Sequence, residues 1–475
     1  MAVLDPVLGN SWLVKEISSS PTPSSIAYAA AICTLAGRGA DAAITLDLTS
    51  DASIKQAAAS AAYDMMGYYT GNHTGDNPGN LPAPYYWWEA GAMFGTMVNY
   101  WYYTGDKSYI DVTTQGLLSQ IGEDNDYMPE NQTKTEGNDE ADQGFWGMAA
   151  MTAAETKFQD PPDGQPGWLA LAQGVFNTQV ARWDGQNCNG GLRWQIFTFN
   201  NGYDYKNSIS NGCFFNLAAR LALYTGNSTY ADWATKTFEW VNSVGLMGSD
   251  FKVHDGTRIG DNCTAKDSNM WTYNSGIYLL GAAAMYNYTN GSTVWQTRVK
   301  GIVDAGQDFF TDGVLFEPCE TGKCNVDQKS FKAYYARWMA ATTQIAPFTK
   351  DTLMKRISTS ATAAVKTCTG GTSGNGCGMS WTTGVNDGSL GVGEQMSALE
   401  IIQSNLVGSA AAWVSAVKGT GTSQGNANAG SDQSHDASKV NSKPITTGDR
   451  VGAGIFTALM LIGVVGGSAT MMISE

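Results

Sequence analysis

Three carboxylates, Asp139, Glu140 and Asp142, fall within four positions, just ahead of the apolar run Met148 to Phe158. Cleaving a glycosidic bond takes two carboxyl groups: one protonates the leaving oxygen, the other attacks the sugar or activates water. A separation of about 5–5.5 Å gives retention, about 6.5–9.5 Å inversion. Residues three apart on a helix have Cβ atoms about 5–6 Å apart, so Asp139 and Asp142 can share a face, whereas Glu140 points away from Asp142. The same acids also suit a plain helix start. Asn138 or Asp139 can cap free N–H groups, and first-turn carboxylates sit against the positive end of the helix dipole. Aromatic residues favour the sugar chemistry, because their flat faces make platforms for sugar rings. The candidates are Tyr85, Tyr86, Trp87, Trp88, Trp146, Trp194, Phe197, Tyr203, Trp271, Tyr273 and Trp338, with core packing the competing role for each. Tyr85 to Trp88 follow Pro82 and Pro84, and four consecutive aromatics cannot all face inward, so some line a cleft. Asn138 and Gln143 flank the acids and join the substrate-binding candidates. Asp255, Asp261, Lys332 and Arg337 are further polar candidates, against a surface or structural role.

Helices must position these groups. Apolar residues recur at helical spacing in 53–69, 87–103, 142–158, 168–183, 209–224, 230–244 and 271–286, then in 294–310, 329–346, 350–367 and 392–417. Leu192 to Phe199 can form a short strand. A turn signature recurs: Tyr102-Tyr103-Thr104-Gly105-Asp106 resembles Leu223-Tyr224-Thr225-Gly226-Asn227, with a looser copy at Tyr288 to Thr293. Each ends a helix on a left-handed glycine and starts the next on a polar N-cap. Repeated helical hairpins over about 375 residues suit an all-α, closed (α/α)6 barrel; a solenoid stays open as the alternative.

The chain has 475 residues and a net charge of -15, which repels nucleic acid and suits a neutral carbohydrate. It contains three histidines and no HExxH, P-loop or paired CxxC pattern, so no metal or cofactor is called for. Six Asn-x-Ser/Thr sequons, at Asn72, Asn131, Asn227, Asn262, Asn287 and Asn290, read with the cysteines as a secreted glycoprotein. Cys319–Cys324 and Cys368–Cys377 read as local disulfides and Cys188–Cys263 as a long-range one. Cys213 reads as a buried thiol, and Cys33 falls in the leader.

Residues 1–42 read as an N-terminal extension and secretory signal, ending near Ala40-Asp41-Ala42, and 43–418 as the catalytic domain. Residues 419–450 are a polar stalk. The apolar tail 451–475, without a basic stop, is the signal for a glycosylphosphatidylinositol (GPI) anchor. Asp436-Ala437-Ser438 is the preferred attachment triplet, Asn428-Ala429-Gly430 the runner-up.

The motifs Glu136-Gly137-Asn138-Asp139, Asp142-Gln143-Gly144-Phe145-Trp146-Gly147 and Ala153-Ala154-Glu155 resemble the signature of the fungal Dfg5/Dcw1-type branch of glycoside hydrolase family 76, the α-1,6-mannanase family. The likeness extends through Tyr63 to Met66, Tyr69 to Asn72, Tyr86 to Phe94, Asn187 to Trp194, Tyr203 to Asn211 and Trp271 to Gly276. It implies an (α/α)6 barrel, retaining chemistry and a cell-wall role on the outer face of the plasma membrane. The implied substrate is an α-mannosidic bond, in the mannose-containing core of GPI anchors, with wall glucan as acceptor. Plain endo-α-1,6-mannanase activity and inert mannan binding are the alternatives. The family pattern places two adjacent aspartates before the glutamine; here Glu140-Ala141 separates Asp139 from Asp142. Asp142 matches the acid/base. The nucleophile is either Asp139, displaced by an insertion, or missing, with Ala141 in its place.

Overall fold

The computed structural model describes residues 44–129 and 140–431. The expected signal, Cys33, Asn131, Asn138, Asp139, Asp436 and the apolar tail lie outside the described residues. Twelve α-helices occur among the described residues: α1 (Asp51–Met66), α2 (Trp87–Thr104), α3 (Ile110–Ser119), α4 (Glu140–Thr156), α5 (Trp168–Ala181), α6 (Ser208–Thr225), α7 (Ser228–Ser243), α8 (Thr272–Tyr288), α9 (Thr293–Ala305), α10 (Phe331–Ile345), α11 (Lys350–Lys366) and α12 (Val392–Gln403). The even-numbered helices form an inner ring in which each packs on the next and α12 returns to α2. The odd-numbered helices pack outside them. This is the (α/α)6 barrel, and the return of α12 to α2 excludes the open solenoid.

The inner helices are buried on nearly every face and rich in Ala, Gly and Ser. Close approach requires small residues: a Cβ on Gly144 would lie 2.5 Å from Cys213 Cβ, so α4 and α6 touch almost backbone to backbone. The hairpin signature works as expected. Gly105 and Gly226 are left-handed, with φ of 75° and 73°, and donate to Trp101 O and Ala222 O. Asp106 and Asn227 then accept from Ser108 N and Thr229 N to start the next turn.

Four local expectations change. α3 was not foreseen, because Asp111, Thr114, Gln115 and Gly116 interrupt the buried stripe Ile110, Thr113, Leu117. The last inner helix stops at Gln403 and passes into a tight turn at Ser404–Gly408 rather than running to 417. Leu192 to Phe199 is not a strand: Leu192 N donates to the side chain of Asn211 instead of to a neighbouring strand. The strands nearby are β1 (Tyr205–Asn207), β2 (Gly256–Arg258) and β3 (Lys266–Asp267), an antiparallel sheet in that order. Finally, residues 423–431 of the expected stalk pack along α5, and Ala429 of the runner-up attachment triplet is buried there. The structure pairs Cys188 with Cys263, Cys319 with Cys324 and Cys368 with Cys377, and Cys213 is buried. No helix among the described residues is long and apolar enough to cross a membrane.

Candidate active site

The inner helices α2, α4, α6, α8 and α10 begin around one cavity of about 820 Å³. Their first turns supply its wall: Trp87 and Trp88, Ala141, Asp142 and Phe145, Asn207 and Ile209, Trp271 and Tyr273, and Phe331. The positive ends of these helix dipoles converge there, an environment that favours carboxylates. Three aspartates line it, Asp142, Asp255 and Asp327. Burial raises the pKa of Asp255, opposed by Tyr205 Oη, which donates to its Oδ2 at 2.7 Å. Burial likewise raises Asp327.

Buried carboxylates hold three of these helix starts. Glu89 Oε2 accepts from Tyr86 N at 2.7 Å and fixes the entry of α2. Burial, reinforced by the charges of Asp327 and Glu394, pushes its pKa up to about 8. Glu317 accepts from Thr272 N at 3.0 Å and from the Thr272 hydroxyl, fixing α8 between Trp271 and Tyr273; burial pushes its pKa up to about 8 as well. Glu140, at the start of α4, pairs with Arg182 at 2.9 Å, and both are buried. Arg182 also donates to Gln143 Oε1 at 2.8 Å, and Gln143 Nε2 donates to Asp126 O at 2.7 Å. Burial pushes the Asp126 carboxyl up to about 6, against the nearby Arg182.

The structure sorts the candidate residues. Asp142, Tyr86, Trp87, Trp88, Trp194, Asp255, Trp271 and Tyr273 all line the cavity, as does Tyr85. Trp146 does not. It is fully buried, stacked between Trp87 at 5.3 Å and Tyr127 at 5.5 Å, because the loop 121–129 inserts Tyr127 behind it. Gln143 is likewise buried, its amide spent on Asp126 and Arg182. Lys332 is fully buried in an ion pair with Glu320 at 2.7 Å, over the ring of Trp381. Arg337 pairs with Glu400 at 2.9 Å in the core. Tyr203 stands outside the cavity under the Arg193 guanidinium, at 4.2 Å. Phe197 and Trp338 are buried. Asp261 lines a neighbouring cavity of about 420 Å³ that shares Trp194, Tyr205 and Asp255 with the first. Sequence reasoning named Ala141 only as the residue in the place of a missing nucleophile, and missed Tyr205, Asp327 and Phe331; only the position of Asp327 and Phe331 at a helix start was a signal for them. Four sequons, Asn72, Asn227, Asn262 and Asn290, are exposed. Asn287 instead donates its amide to Ile345 O at 2.9 Å.

A closed double ring of helices whose mouth presents carboxylates between aromatic faces defines a carbohydrate-active barrel. The chain belongs to glycosyl hydrolase family 76: that family's model matches residues 53–417. It is 49% identical over 429 residues to the mannan endo-1,6-alpha-mannosidase DCW1 of Saccharomyces cerevisiae, covering 89% of this chain and 94% of that one. Identity to the mannan endo-1,6-alpha-mannosidase DFG5 of the same yeast is 46%, covering 90% and 94%. The crystal structure of Dfg5 from Chaetomium thermophilum in complex with glucosamine superposes with a TM-score of 0.79 at 47% identity, covering 82% of this chain and 98% of that one. The α-1,6-mannanase of Salegentibacter, as an inactive double Asp-to-Asn variant with α-1,6-mannotriose, shares the fold, with a TM-score of 0.60 at 18% identity over 74% of this chain and 99% of that one.

Proposed function

We propose that the protein is a retaining endo-acting α-1,6-mannosidase of the fungal cell wall, with Asp142 as its general acid/base. The observation that carries this is Asp142 on the wall of the aromatic cavity, three residues from Phe145 on α4 and in one cavity with the aromatic residues that begin α2 and α8. In this reading Asp142 protonates the leaving oxygen and then takes a proton from the incoming hydroxyl, while Asp139 attacks the anomeric carbon. Trp87, Trp88, Trp271 and Tyr273 stack on mannose rings, and Asp255 accepts from sugar hydroxyls. A sugar hydroxyl arriving in place of water turns hydrolysis into transfer. The resemblance then extends the reading to the GPI glycan core as donor and wall glucan as acceptor, with the enzyme held at the membrane by its own GPI anchor. Incubating the purified chain with α-1,6-mannan, and separately with a synthetic anchor glycan plus a glucan oligosaccharide, tests it. The expected products are shortened mannan and a mannosylated glucan, both absent for Asp142→Asn. Turnover that survives in Asp142→Asn would sink the assignment.

Mannan binding without turnover is the second reading. It is favoured by Ala141, which occupies the cavity wall next to Asp142 while the neighbouring Glu140 is turned to Arg182. Calorimetric binding of mannan with no product would select it.

A further inference from the structure

The helix α5 begins badly on its own. Its N-cap is Gly167, which has no side chain to satisfy the free N–H groups. The chain after the barrel supplies the cap. Ser423 Oγ accepts from Leu169 N at 2.9 Å and Gln424 O accepts from Ala170 N at 3.2 Å. The segment then climbs α5. Asn426 N donates to Gln173 Oε1 at 2.7 Å, and Asn177 Nδ2 donates to both Ala427 O and Ala429 O at 2.8 Å. From Leu169 to Thr178 that is about 14 Å along the helix axis. At the top Gly430 N donates to Asp124 O at 3.2 Å. Gly430 is left-handed, with φ +66°, and a Cβ there would lie 2.4 Å from Gly174 O and 2.8 Å from Thr178 Oγ1.

The far end of this contact leads to the active site by two routes. Thr178 Oγ1 donates to Asp126 Oδ2 at 3.0 Å, and Asp126 O holds Gln143. The residue that closes α5, Arg182, holds Glu140 and Gln143. Glu140 and Gln143 flank Ala141 and Asp142 in the first turn of α4. The family match stops at 417, before the strap begins.

We propose that residues 423–431 are a positioning strap for the catalytic turn: by capping α5 and pinning the loop 121–129 they keep Arg182 and Asp126 where they hold Glu140 and Gln143, and so aim Asp142 into the cavity. The proposal rests on Asp142 being the acid/base.

The test uses the full chain carrying Ser423→Ala, Asn177→Ala or Gly430→Val, with Ser423→Thr as the conservative rescue and Asp142→Asn as control. Two readouts are taken at a temperature where circular dichroism shows native helix content. Amide hydrogen exchange of residues 141–145 is expected to accelerate about tenfold in the three strap variants, with α10 unchanged and Ser423→Thr restored. On α-1,6-mannan, kcat is expected to fall about tenfold with KM within about twofold, as for a misaimed catalytic group. Should Gly430→Val fail to fold, Ser423→Ala and Asn177→Ala decide. Unchanged exchange at 141–145 overturns the strap even where the chain turns nothing over. Lower melting temperature with unchanged exchange and kcat also overturns it, leaving a mere helix cap. Turnover that survives in Asp142→Asn overturns the acid assignment instead.

Discussion

Arg182 and Glu140 form a buried ion pair of 2.9 Å directly behind the cavity wall made by Ala141 and Asp142. Its carboxylate is therefore part of the scaffold under the catalytic turn. Arg182 bonds Gln143 too, so one guanidinium spans both ends of that turn.

Breaking this pair leaves a buried charge uncompensated, which costs about 3–5 kcal/mol. Arg182→Ala and Glu140→Gln are each expected to lose about that much in denaturant unfolding. The double variant Arg182→Met/Glu140→Gln is expected to recover part of the loss, since neither member of the pair is left facing an empty partner. Equal losses in single and double variants would show that the pair is not coupled.

The aromatic residues divide into wall and core. Trp88 lines the cavity against Phe145 at 4.6 Å, so Trp88→Ala is expected to weaken mannan binding with helix content retained. Trp146 is the fully buried middle of the Trp87–Trp146–Tyr127 stack, so Trp146→Ala is expected to cost about 3–5 kcal/mol of stability. Calorimetry with mannan oligosaccharides and thermal melts on both variants separate the two roles. A stable Trp146→Ala with lost binding would reverse them.

That division marks what the sequence could tell. The barrel was legible because inner helices repeat apolar residues at helical spacing and Gly105 and Gly226 punctuate the hairpins. Which of two neighbouring tryptophans faces sugar was not, because it depends on Tyr127 reaching behind Trp146 from a loop with no periodicity. Lys332 looked like a ligand-binding cation, and only the fold brings Glu320 and Trp381 around it. Residues 419–431 read as stalk because they hold almost no apolar side chains. Residues 423–431 cap a free N–H of α5 and offer backbone carbonyls to the Asn177 amide, which composition does not record.

Stability is expected to fall as pH rises through neutrality. Glu89 and Glu317 have folded pKa values of about 8, raised by burial from 4.5. Between these values the folded chain holds protons that the unfolded chain has released. The stabilisation is full below about pH 4.5, declines by up to about 1.4 kcal/mol per pH unit for each group, and is gone above about pH 8. Glu89→Gln, which keeps the shape without titrating, is expected to flatten the fall between pH 5 and about 8 in unfolding titrations. An identical slope in wild type and Glu89→Gln would refute the role of this carboxyl.

The anchor reading is tested at the cell surface. The polar segment and apolar tail after the barrel predict release from membranes by a phosphatidylinositol-specific phospholipase. Full-length mature protein that keeps residues 451–475 would contradict it. With Ala429 packed on α5, replacing Asn428 is expected to leave anchoring intact, whereas replacing Asp436 is expected to reduce it.

The sharpest test concerns the wall position beside the acid. Ala141 lines the cavity next to Asp142, and if nothing is inserted before Asp142 it stands in the place of the first of the family pattern's two adjacent aspartates. Ala141→Asp restores that adjacency and leaves the Glu140–Arg182 pair in place, unlike a deletion of Glu140-Ala141, which would strip Arg182 of its partner. If Asp139 is the nucleophile, the parent is active, Asp139→Asn abolishes turnover, and Ala141→Asp lowers it by crowding a further carboxylate against Asp142 and raising the pKa of its neighbours. If the chain lacks a nucleophile, the parent binds mannan without cleaving it, Asp139→Asn changes nothing, and Ala141→Asp creates turnover. Trapping the glycosyl-enzyme with a fluorinated mannoside and mapping the labelled peptide then identifies the attacking carboxylate. Label on Asp139 in the parent supports the displaced nucleophile, and label appearing only in Ala141→Asp supports its loss. Label on Asp255 or Asp327, the other aspartates of the wall, would discard both.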